Sequence, residues 1–274
     1  MTQVTTGSTR NDELKRRLPA GRKARLAAAV AEAGQVTVAE LAERFEVSVD
    51  TIRRDLDALD ADGVLIRTHG GAVSPDALPK PESGLDIRKR VQTAAKETIG
   101  RLTAQIVEDG SSVLINGGTT TLAVARSLRE HHDLTIATNN LLLSGELNPQ
   151  SYRNLYVFGG MVRESSQATV CKVAFSGSGD REVEVHADLA LIAVGGATLE
   201  GGFCTSNIAE AEVMRDMMDH ADKVAILIDS TKFHRKLFAH FASLDEVDYV
   251  ITETAPPEDF AAALSAAGVQ VLHA

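Results

Sequence analysis

Residues 47–59 read VSVDTIRRDLDAL and place two adjacent arginines near the start of a short amphipathic helix. Ser48 is a favourable N-cap residue for this helix. Apolar residues recur at helical spacing and are expected to face inward at Val49, Ile52, Leu56 and Leu59. Arg53 and Arg54 therefore lie on the outer side of the helix, together with Asp50 and Thr51.

Two further helical patterns precede this stretch. The first, RKARLAAAVAEAG, ends at Gly34, and the second, TVAELAERF, begins at Thr37 with the spacing of a capping box to Glu40. Only the three residues EVS separate the second and third helices, which is the turn length of a helix-turn-helix. The segment DGVLIRTHGGAV then predicts a strand over 64–66 and a glycine turn, which together make a short β-wing. The core of this unit is expected at Leu26, Leu41, Phe45, Ile52 and Leu56.

The charge pattern is compatible with DNA binding by this segment. Residues 1–70 hold 11 basic and 11 acidic residues, so the rest of the chain carries the whole formal net charge of -10. In a helix-turn-helix, the start of the second motif helix enters the major groove, where arginine binds guanine or phosphate. Arg67 and His69 of the wing are placed to contact the DNA backbone or minor groove. A solvated helix face with local ion pairs is the alternative for Arg53 and Arg54.

The remainder of the chain predicts a connection and an α/β domain. Residues 74–86 contain three prolines and read as an extended linker, and a helical pattern follows from Ile87 to Ile106. Apolar strands then alternate with helices, which indicates a mainly parallel sheet flanked by helices. We therefore expect a winged helix-turn-helix over 19–73, the linker over 74–86, and an α/β domain over 87–274, for which the resemblance described below implies effector sensing and oligomerisation.

Ligands of such sheets bind beyond the carboxyl ends of the strands, and several of these ends are polar and rich in glycine. The sharpest is NGGTTTLA, in which Gly117 and Gly118 lead into a helix that starts with Thr119, Thr120 and Thr121. This arrangement suits a phosphate, although plain N-capping by threonine explains it equally well. Asn139, Gly160, Asp229 and Lys232 lie at other strand ends, and Lys232 has a surface lysine beside Asp229 as its alternative interpretation.

The segment from Arg22 to Val73, with its TIRRDL and R-HGGA motifs, resembles the DNA-binding domain of the DeoR family of bacterial transcriptional regulators. The rest resembles the sensor domain of that family through GGTTT, ATNN, FGG, VGG and DSTKF. The resemblance implies a fold similar to that of ribose-5-phosphate isomerase. It implies that Ser48, Thr51, Arg53 and Arg54 lie in the recognition helix.

For the sensor, the resemblance implies a phosphorylated sugar as effector. Gly118, Thr119, Thr120 and Lys232 would hold its phosphate, and Asn139, Gly160 and Asp229 would complete the pocket. The chain departs from the family pattern at Asn116, Cys171 and Met214, where Asp, Gly and Lys are common. The departure at Asn116 is expected to alter polar contacts to the ligand, so the usual effectors do not transfer directly.

Several functions are disfavoured by the sequence. There is no apolar run long enough for a membrane span, and the first fourteen residues lack a signal-peptide pattern, so a cytoplasmic protein is expected. Two cysteines and scattered histidines predict no disulfide or metal site, and the absence of GK[ST] and G-x-G-x-x-G patterns predicts no nucleotide cofactor. Both cysteines are expected to be buried, and Glu210 and Glu212 to face solvent.

The prediction is thus a regulator, mainly a repressor, of sugar-metabolism genes, in which operator DNA and a phosphorylated sugar are the partners. A single small winged unit buries little DNA surface, so a homodimer or homotetramer is expected. The alternatives are a sugar-phosphate isomerase that carries a DNA-binding head, and an activator or architectural protein without a ligand. An isomerase would need carboxylates as acid and base, for which Glu210, Glu212 and Asp229 are the candidates.

Overall fold

The computed structural model describes residues 19–77, 84–176 and 182–274, which fall into two compact units. The first unit, here called the head, contains the described residues up to 77 together with Arg90–Gln92. The second unit, here called the sensor unit, contains the other described residues. Each unit has its own hydrophobic core.

The head is a three-helix unit with a small antiparallel sheet. Its elements are α1 (Pro19–Ala33), β1 (Gln35–Thr37), α2 (Val38–Phe45), α3 (Val49–Ala61), β2 (Ile66–Arg67) and β3 (Gly71–Val73). The sheet has the strand order β1-β3-β2, and its first strand was not predicted. The prediction of a strand from Val64 was wrong, since the chain leaves α3 through a left-handed turn at Gly63 (φ 71°) and pairs only from Ile66.

The core of the head contains most of the predicted residues. Leu26, Leu41, Ile52 and Leu56 are all 0% exposed. Phe45 packs against this core but is only partly buried, and the guanidinium of Arg25 lies 5.1 Å from the centre of its ring. The expectation that Val49 faces inward was wrong: it is the first residue of α3 and is 39% exposed, and the helix contacts the core from Ile52 onward.

The predicted helix over 87–106 is two helices, α4 (Leu85–Arg90) and α5 (Thr93–Ala104). Gln92 separates them because its backbone adopts a left-handed conformation (φ 52°). Its amide donates to the carbonyl of Pro75 at 2.8 Å, and its side chain donates to the carbonyl of Asp76 at 2.6 Å. Of the predicted linker, residues 78–83 lie outside the described residues, whereas Leu85 and Asp86 are helical rather than extended.

The sensor unit is built on a parallel sheet, as predicted. Its strands in chain order are β4 (Ser112–Ile115), β5 (Leu134–Thr138), β6 (Tyr152–Val157), β7 (Met161–Arg163), β8 (Ala168–Val170), β9 (Ala174–Ser176), β10 (Glu182–Glu184), β11 (Ala187–Ala193), β12 (Gly196–Thr198), β13 (Gly202–Thr205), β14 (Ala221–Leu227), β15 (Ala239–Ala242), β16 (Tyr249–Ile251) and β17 (Gln270–Leu272). Seven of them pair in parallel in the order β17-β16-β14-β11-β4-β5-β6. The short strands β7–β10, β12, β13 and β15 form antiparallel additions that were not predicted.

Helices cover both faces of this sheet. Besides α5, they are α6 (Thr119–Ser127), α7 (Ile208–Asp219) and α8 (Glu258–Ala266). Along β11, Leu189 and Leu191 pack with the helices α5 and α6, whereas Ala190 and Ile192 pack with α7 and α8. The strands are therefore apolar at successive positions rather than alternating, which is typical of a parallel sheet buried on both sides.

The order of the strands locates the crevice of the sensor unit. From β4 the chain moves outward through β5 and β6, then returns to β11 on the other side of β4 and moves outward through β14, β16 and β17. The strand order thus reverses between β4 and β11, and ligands of open α/β sheets bind beyond the carboxyl ends of the strands at such a point.

Candidate functional site

In the head, hydroxyl side chains fix the start of both motif helices. The Thr37 hydroxyl accepts from the Glu40 amide at 3.2 Å, and Glu40 accepts from the Thr37 amide at 2.7 Å, so the predicted capping box is present. The Ser48 hydroxyl accepts from the amide of Thr51 at 3.2 Å and lies 2.9 Å from its hydroxyl. These contacts hold the first turn of α3, the predicted recognition helix, in a fixed conformation.

The outer side of α3 exposes charged groups near this first turn. Arg53 pairs with Asp50 at 3.3 Å, and both side chains are more than half exposed. Arg54 is also exposed, and within the described part of the chain it makes no ion pair. Because Ile52 and Leu56 are buried on the opposite side, this arginine pair can face a groove without disturbing the core.

The two wing residues that were predicted to contact DNA, Arg67 and His69, have different surroundings. The guanidinium of Arg67 donates to the carbonyls of Thr68 and Gly71 at 2.6 and 2.7 Å and pairs with Asp57 at 3.1 Å. Arg67 therefore ties the wing turn to α3, a role that the sequence did not indicate. His69 is exposed at the tip of the wing.

Two further features stabilise the head and were missed from sequence. Arg22 of α1 binds Asp55 of α3 at 2.5 Å, and both side chains are mostly buried. At Gly71, a Cβ atom would lie 2.0 Å from the carbonyl oxygen of Val36, so only glycine allows β3 to approach β1. No sequence pattern linked Arg22 to Asp55, since 33 residues separate them.

In the sensor unit, Asn116 joins the two strands at which the strand order reverses. Its Oδ1 accepts from the amide of Ala193 at 2.8 Å, and its Nδ2 donates to the carbonyl of the same residue at 2.9 Å. Asn116 is 1% exposed. Its amide thus extends the pairing of β4 and β11 and forms the floor of the crevice, whereas the sequence had suggested a ligand contact.

The helix α6 begins directly above this floor. Its N-cap is Gly118, which offers no side chain to accept hydrogen bonds from the first amides of the helix. Thr119 and Thr120 occupy the first turn, where Thr120 is buried. The hydroxyl of Thr121 donates to the carbonyls of Asn116 and Gly118 at 2.9 and 2.8 Å, so it holds the turn together rather than facing a ligand.

A buried amide oxygen lies beside this turn. Asn139 is 4% exposed, and its Nδ2 donates to the carbonyl of Thr169 at 2.7 Å, which fixes the orientation of the amide. Its Oδ1 is buried and accepts no hydrogen bond from the described residues. A Cβ atom on Gly117 would lie 2.6 Å from that of Ala168 and 3.6 Å from this oxygen. The oxygen is therefore available to a donor, such as a hydroxyl group, beside Gly117.

The backbone of the neighbouring hairpin requires glycine at position 160. Its φ of 109° favours glycine, and a Cβ atom there would lie 2.5 Å from the carbonyl of Val170 and 2.7 Å from the Cβ of Cys171. Glycine at this position thus permits the hairpin of β7 and β8, and the contact of Gly160 with a ligand stays a prediction. Cys171 is half-buried rather than buried, whereas Cys204 is buried as expected.

Asp229 and Lys232 form a buried ion pair beyond the end of β14. Lys232 Nζ lies 3.0 Å from Asp229 Oδ2, and their side chains are 12% and 2% exposed. Asp229 also accepts a short hydrogen bond from the hydroxyl of Thr231. Burial acts to raise the pKa of Asp229, but the charge of Lys232 and these hydrogen bonds outweigh it and hold the pKa below its usual value.

Two more cations belong to this cluster and were missed from sequence. Lys96 of α5 is 5% exposed, and burial together with the charge of Lys232 lowers its pKa to about 7, against the opposing effect of Asp229. Arg235 donates to the carbonyl of Gly195 at 3.3 Å, and burial lowers its pKa although Asp229 opposes the shift. Three buried or half-buried basic side chains, Lys96, Lys232 and Arg235, thus act on one carboxylate, and an anion would favour the protonated form of Lys96 among them.

The carboxylates considered as an enzyme's acid and base are placed differently from one another. Glu210 is not on the solvent side of α7 as predicted, because its side chain is 17% exposed and pairs with Arg163 at 3.2 Å. Glu212 is exposed, as predicted.

Within the described ranges, no group of three or more His, Cys, Asp or Glu side chains is arranged to hold a metal ion. No helix in these ranges is both long and apolar enough to cross a bilayer.

A winged helix-turn-helix followed by an α/β unit with a cationic crevice defines the class of ligand-responsive transcriptional regulators. Comparison with known families agrees with this class. Residues 22–77 match the DeoR-like helix-turn-helix domain, and residues 91–254 match the DeoR C terminal sensor domain. The chain belongs to the DeoR family of transcriptional regulators.

Named relatives are similar over most of their length. The chain is 29% identical to the putative aga operon transcriptional repressor of Escherichia coli O157:H7, over 87% of this chain and 88% of that protein. It is 31% identical to the glycerol-3-phosphate regulon repressor of Escherichia coli K12, over 83% and 88%. Among solved structures, ribose 5-phosphate isomerase from Plasmodium falciparum matches 50% of this chain and 53% of its own at 8% identity, with a TM-score of 0.34.

Proposed function

We propose that this regulator represses genes of carbohydrate metabolism by binding operator DNA through its head, and that a phosphorylated sugar bound in its sensor unit releases the DNA. The named relatives are a putative repressor of an aga operon and a repressor of a glycerol-3-phosphate regulon, which supports a repressor of carbohydrate genes. We place the DNA-binding domain within 19–73 and the sensing domain within 87–274.

One observation carries the proposed effector class. The first turn of α6 after Gly118 lacks a side-chain cap, and Lys232, paired with Asp229, follows strand β14, while the charge of Lys232 acts on the buried Lys96 of α5. A helix N-terminus binds phosphate through free amides and the helix dipole, and nearby lysines add charge attraction. The unpartnered Oδ1 of Asn139 would accept a hydrogen bond from a sugar hydroxyl, which supports a phosphate joined to a polyol rather than phosphate alone.

In the head, Arg53 and Arg54 supply the base or phosphate contacts. Binding to DNA requires Arg53 to exchange its exposed partner Asp50 for the DNA, which costs little because exposed ion pairs contribute at most about 1 kcal/mol. Thr37, Ser48, Thr51 and His69 lie near enough to helix starts or the wing tip to contact the DNA backbone. Arg67 contributes by holding the wing.

The ion pairs of the candidate carboxylates favour ligand sensing over catalytic turnover. An isomerase needs a carboxylate that exchanges protons near neutral pH. Asp229 is instead held ionised by Lys232, and Glu210 is paired with Arg163. We therefore infer that bound sugar phosphate is recognised without being converted.

We also propose that the sensor unit mediates a homodimer or homotetramer in the cytoplasm. Tyr156, Val157, Met161 and Val162 are all exposed by 42% or more and follow one another along β6 and β7. Contiguous exposed apolar side chains are typical of protein interfaces. Paired heads would allow binding to two half-sites of an operator.

Isothermal titration calorimetry of the full chain with a panel of sugar phosphates tests the effector class. One compound is expected to bind, and Lys232→Met is expected to weaken it about tenfold or more by removing a charged hydrogen bond. Lys236→Met, at an exposed lysine on the same loop, should bind like the wild type. Equal affinity of Lys232→Met and wild type would exclude the proposed site, and turnover of the bound compound would favour the isomerase.

A further inference from the structure

Lys96 connects the candidate effector site to the segment that leads to the head. Its side chain is buried on α5, and its ammonium group donates a short hydrogen bond to the main-chain carbonyl of Arg88 on α4. Arg88, Lys232, Asp229 and Arg126 are the charged groups that act on it. Lys96 thus contacts α4 while it responds to the ion pair of the effector site.

The helix α4 contains one of the points at which the chain passes between the two units. Arg88 belongs to the sensor unit, whereas Arg90, two residues later, belongs to the head. Within the head, Arg90 pairs with Asp60 at 2.6 Å, near the end of the recognition helix α3. Asp60 also accepts from the amide of Arg67 at 3.0 Å, so this carboxylate joins α3, the wing and the end of α4.

We propose that Lys96 reports the occupancy of the effector site to the head, because its ammonium group exchanges the carbonyl of Arg88 for the phosphate of the effector. This inference rests on the proposed function. Release of the Arg88 carbonyl loosens α4. Because Arg90 ends this helix, its ion pair with Asp60, which supports the recognition helix, is then weakened. Lys96 is thereby both a further effector ligand and the residue that couples binding to DNA affinity.

The exchange is favourable on physical grounds. A buried ammonium ion binds a phosphate dianion more strongly than a neutral carbonyl because hydrogen bonds between two charged groups are the stronger kind. An anion between Lys96 and Lys232 also removes the repulsion between these two cations. Lys96 can turn toward the anion because its flexible stem allows the three donors of the ammonium group to be redirected.

The helix α4 is a short element, and the hydrogen bond from Lys96 joins it to α5. It comprises six residues, and none of them is fully buried. Apart from the carbonyl held by Lys96, Arg88 is anchored by a hydrogen bond from its Nη2 to the carbonyl of Ser165 at 3.0 Å. Its Nε is buried and makes no hydrogen bond with the described residues. Without the Lys96 bond, Arg88 would keep its bond to Ser165 and the bond from its amide to the carbonyl of Gly84 at 3.1 Å.

Hydrogen–deuterium exchange of the full-length protein, with and without sulfate, tests the proposal. Sulfate mimics phosphate and stays a dianion over the working pH range, so its own titration does not interfere. In the wild type, saturating sulfate should speed amide exchange in residues 85–90 by roughly 5-fold or more, the lower end of ordinary coupling between sites. Calorimetry on the same samples establishes that sulfate is bound.

Variants separate the coupling from the binding. Lys96→Met should show fast exchange in α4 without sulfate and no further change with it. Lys96→Gln keeps a hydrogen-bond donor but no charge. Without sulfate, its amide exchange in α4 should be closer to that of the wild type, and sulfate should not change it. Lys232→Met should keep the slow exchange of the wild type and bind sulfate weakly, and the exposed-residue control Lys89→Met should respond like the wild type.

The possible results distinguish this proposal from the proposed function. Bound sulfate that leaves α4 exchange unchanged in the wild type, or a wild-type response in Lys96→Met, would overturn the role of Lys96 while the anion site stands. Failure of the wild type to bind sulfate and every sugar phosphate would overturn both. A response that is present in the wild type and lost in both Lys96 variants would establish the coupling.

Discussion

Replacement of Lys96 by methionine should change how the stability of the sensor unit depends on pH. The pKa of Lys96 falls from its ordinary value of 10.5 to about 7 in the folded protein. Between these values the unfolded chain binds a proton that the folded chain lacks, so folding stability contributed by this group rises with pH. Methionine has a similar length and does not titrate.

The size of the effect follows from the two pKa values. At 1.36 kcal/mol for each tenfold change in the proton equilibrium, the lowered pKa costs the folded state about 4 kcal/mol at pH 7 and about 2 kcal/mol at pH 9. The free energy of unfolding of wild type minus that of Lys96→Met should therefore increase by about 2 kcal/mol over this range. Titrating groups that do not interact with Lys96 cancel in the difference.

Urea unfolding at the two pH values measures this difference. All three tyrosines of the chain, Tyr152, Tyr156 and Tyr249, belong to the sensor unit, and there is no tryptophan, so tyrosine fluorescence reports on this unit alone. A difference that stays constant from pH 7 to pH 9, within the error of linear extrapolation, would refute a lowered pKa of Lys96 and the burial that causes it.

Three other substitutions test the head and the floor of the crevice. Gly71→Ala should destabilise the head by about 1–3 kcal/mol through overpacking, whereas Gly70→Ala, which has open space around it, should not; equal melting temperatures by calorimetry would contradict this. Arg54→Ala should weaken operator binding by about 1–3 kcal/mol, while the exposed control Arg129→Ala leaves the affinity unchanged; equal losses in both would indicate general charge rather than a specific contact. Asn116→Asp should cost the sensor unit about 1–3 kcal/mol because a carboxylate cannot donate to the carbonyl on β11, and an unchanged urea midpoint would exclude this role.

The parts of the fold that were predictable have strong local signals. The caps Thr37 and Ser48 mark the starts of α2 and α3, and the mostly apolar seven-residue runs of β11 and β14 mark the buried parallel strands. By contrast, β7–β10, β12, β13 and β15 are three or four residues long, too short for a period-2 pattern. Gln92 ends a helix in a conformation that non-glycine residues seldom adopt, so the helical pattern continues past the break.

The candidate site was predictable only where residues follow a strand. Gly118, Asn139 and Asp229 do so, and the rule for parallel sheets places them at one edge. Lys96 precedes β4 on a helix, and its position near Asp229 depends on tertiary packing that no local pattern encodes. Asn116 was singled out by its place after β4, but its bonds to Ala193 were not predicted because they join residues 77 apart in sequence.

Operator release by a phosphorylated sugar tests the central claim most directly. Fluorescence anisotropy of labelled DNA from upstream of the protein's own gene would be recorded with the full chain, with and without each sugar phosphate of the panel. The account predicts tight, salt-dependent binding that one compound weakens roughly 5- to 150-fold, the usual range of coupling between two sites. Tight binding that no sugar phosphate alters would contradict it.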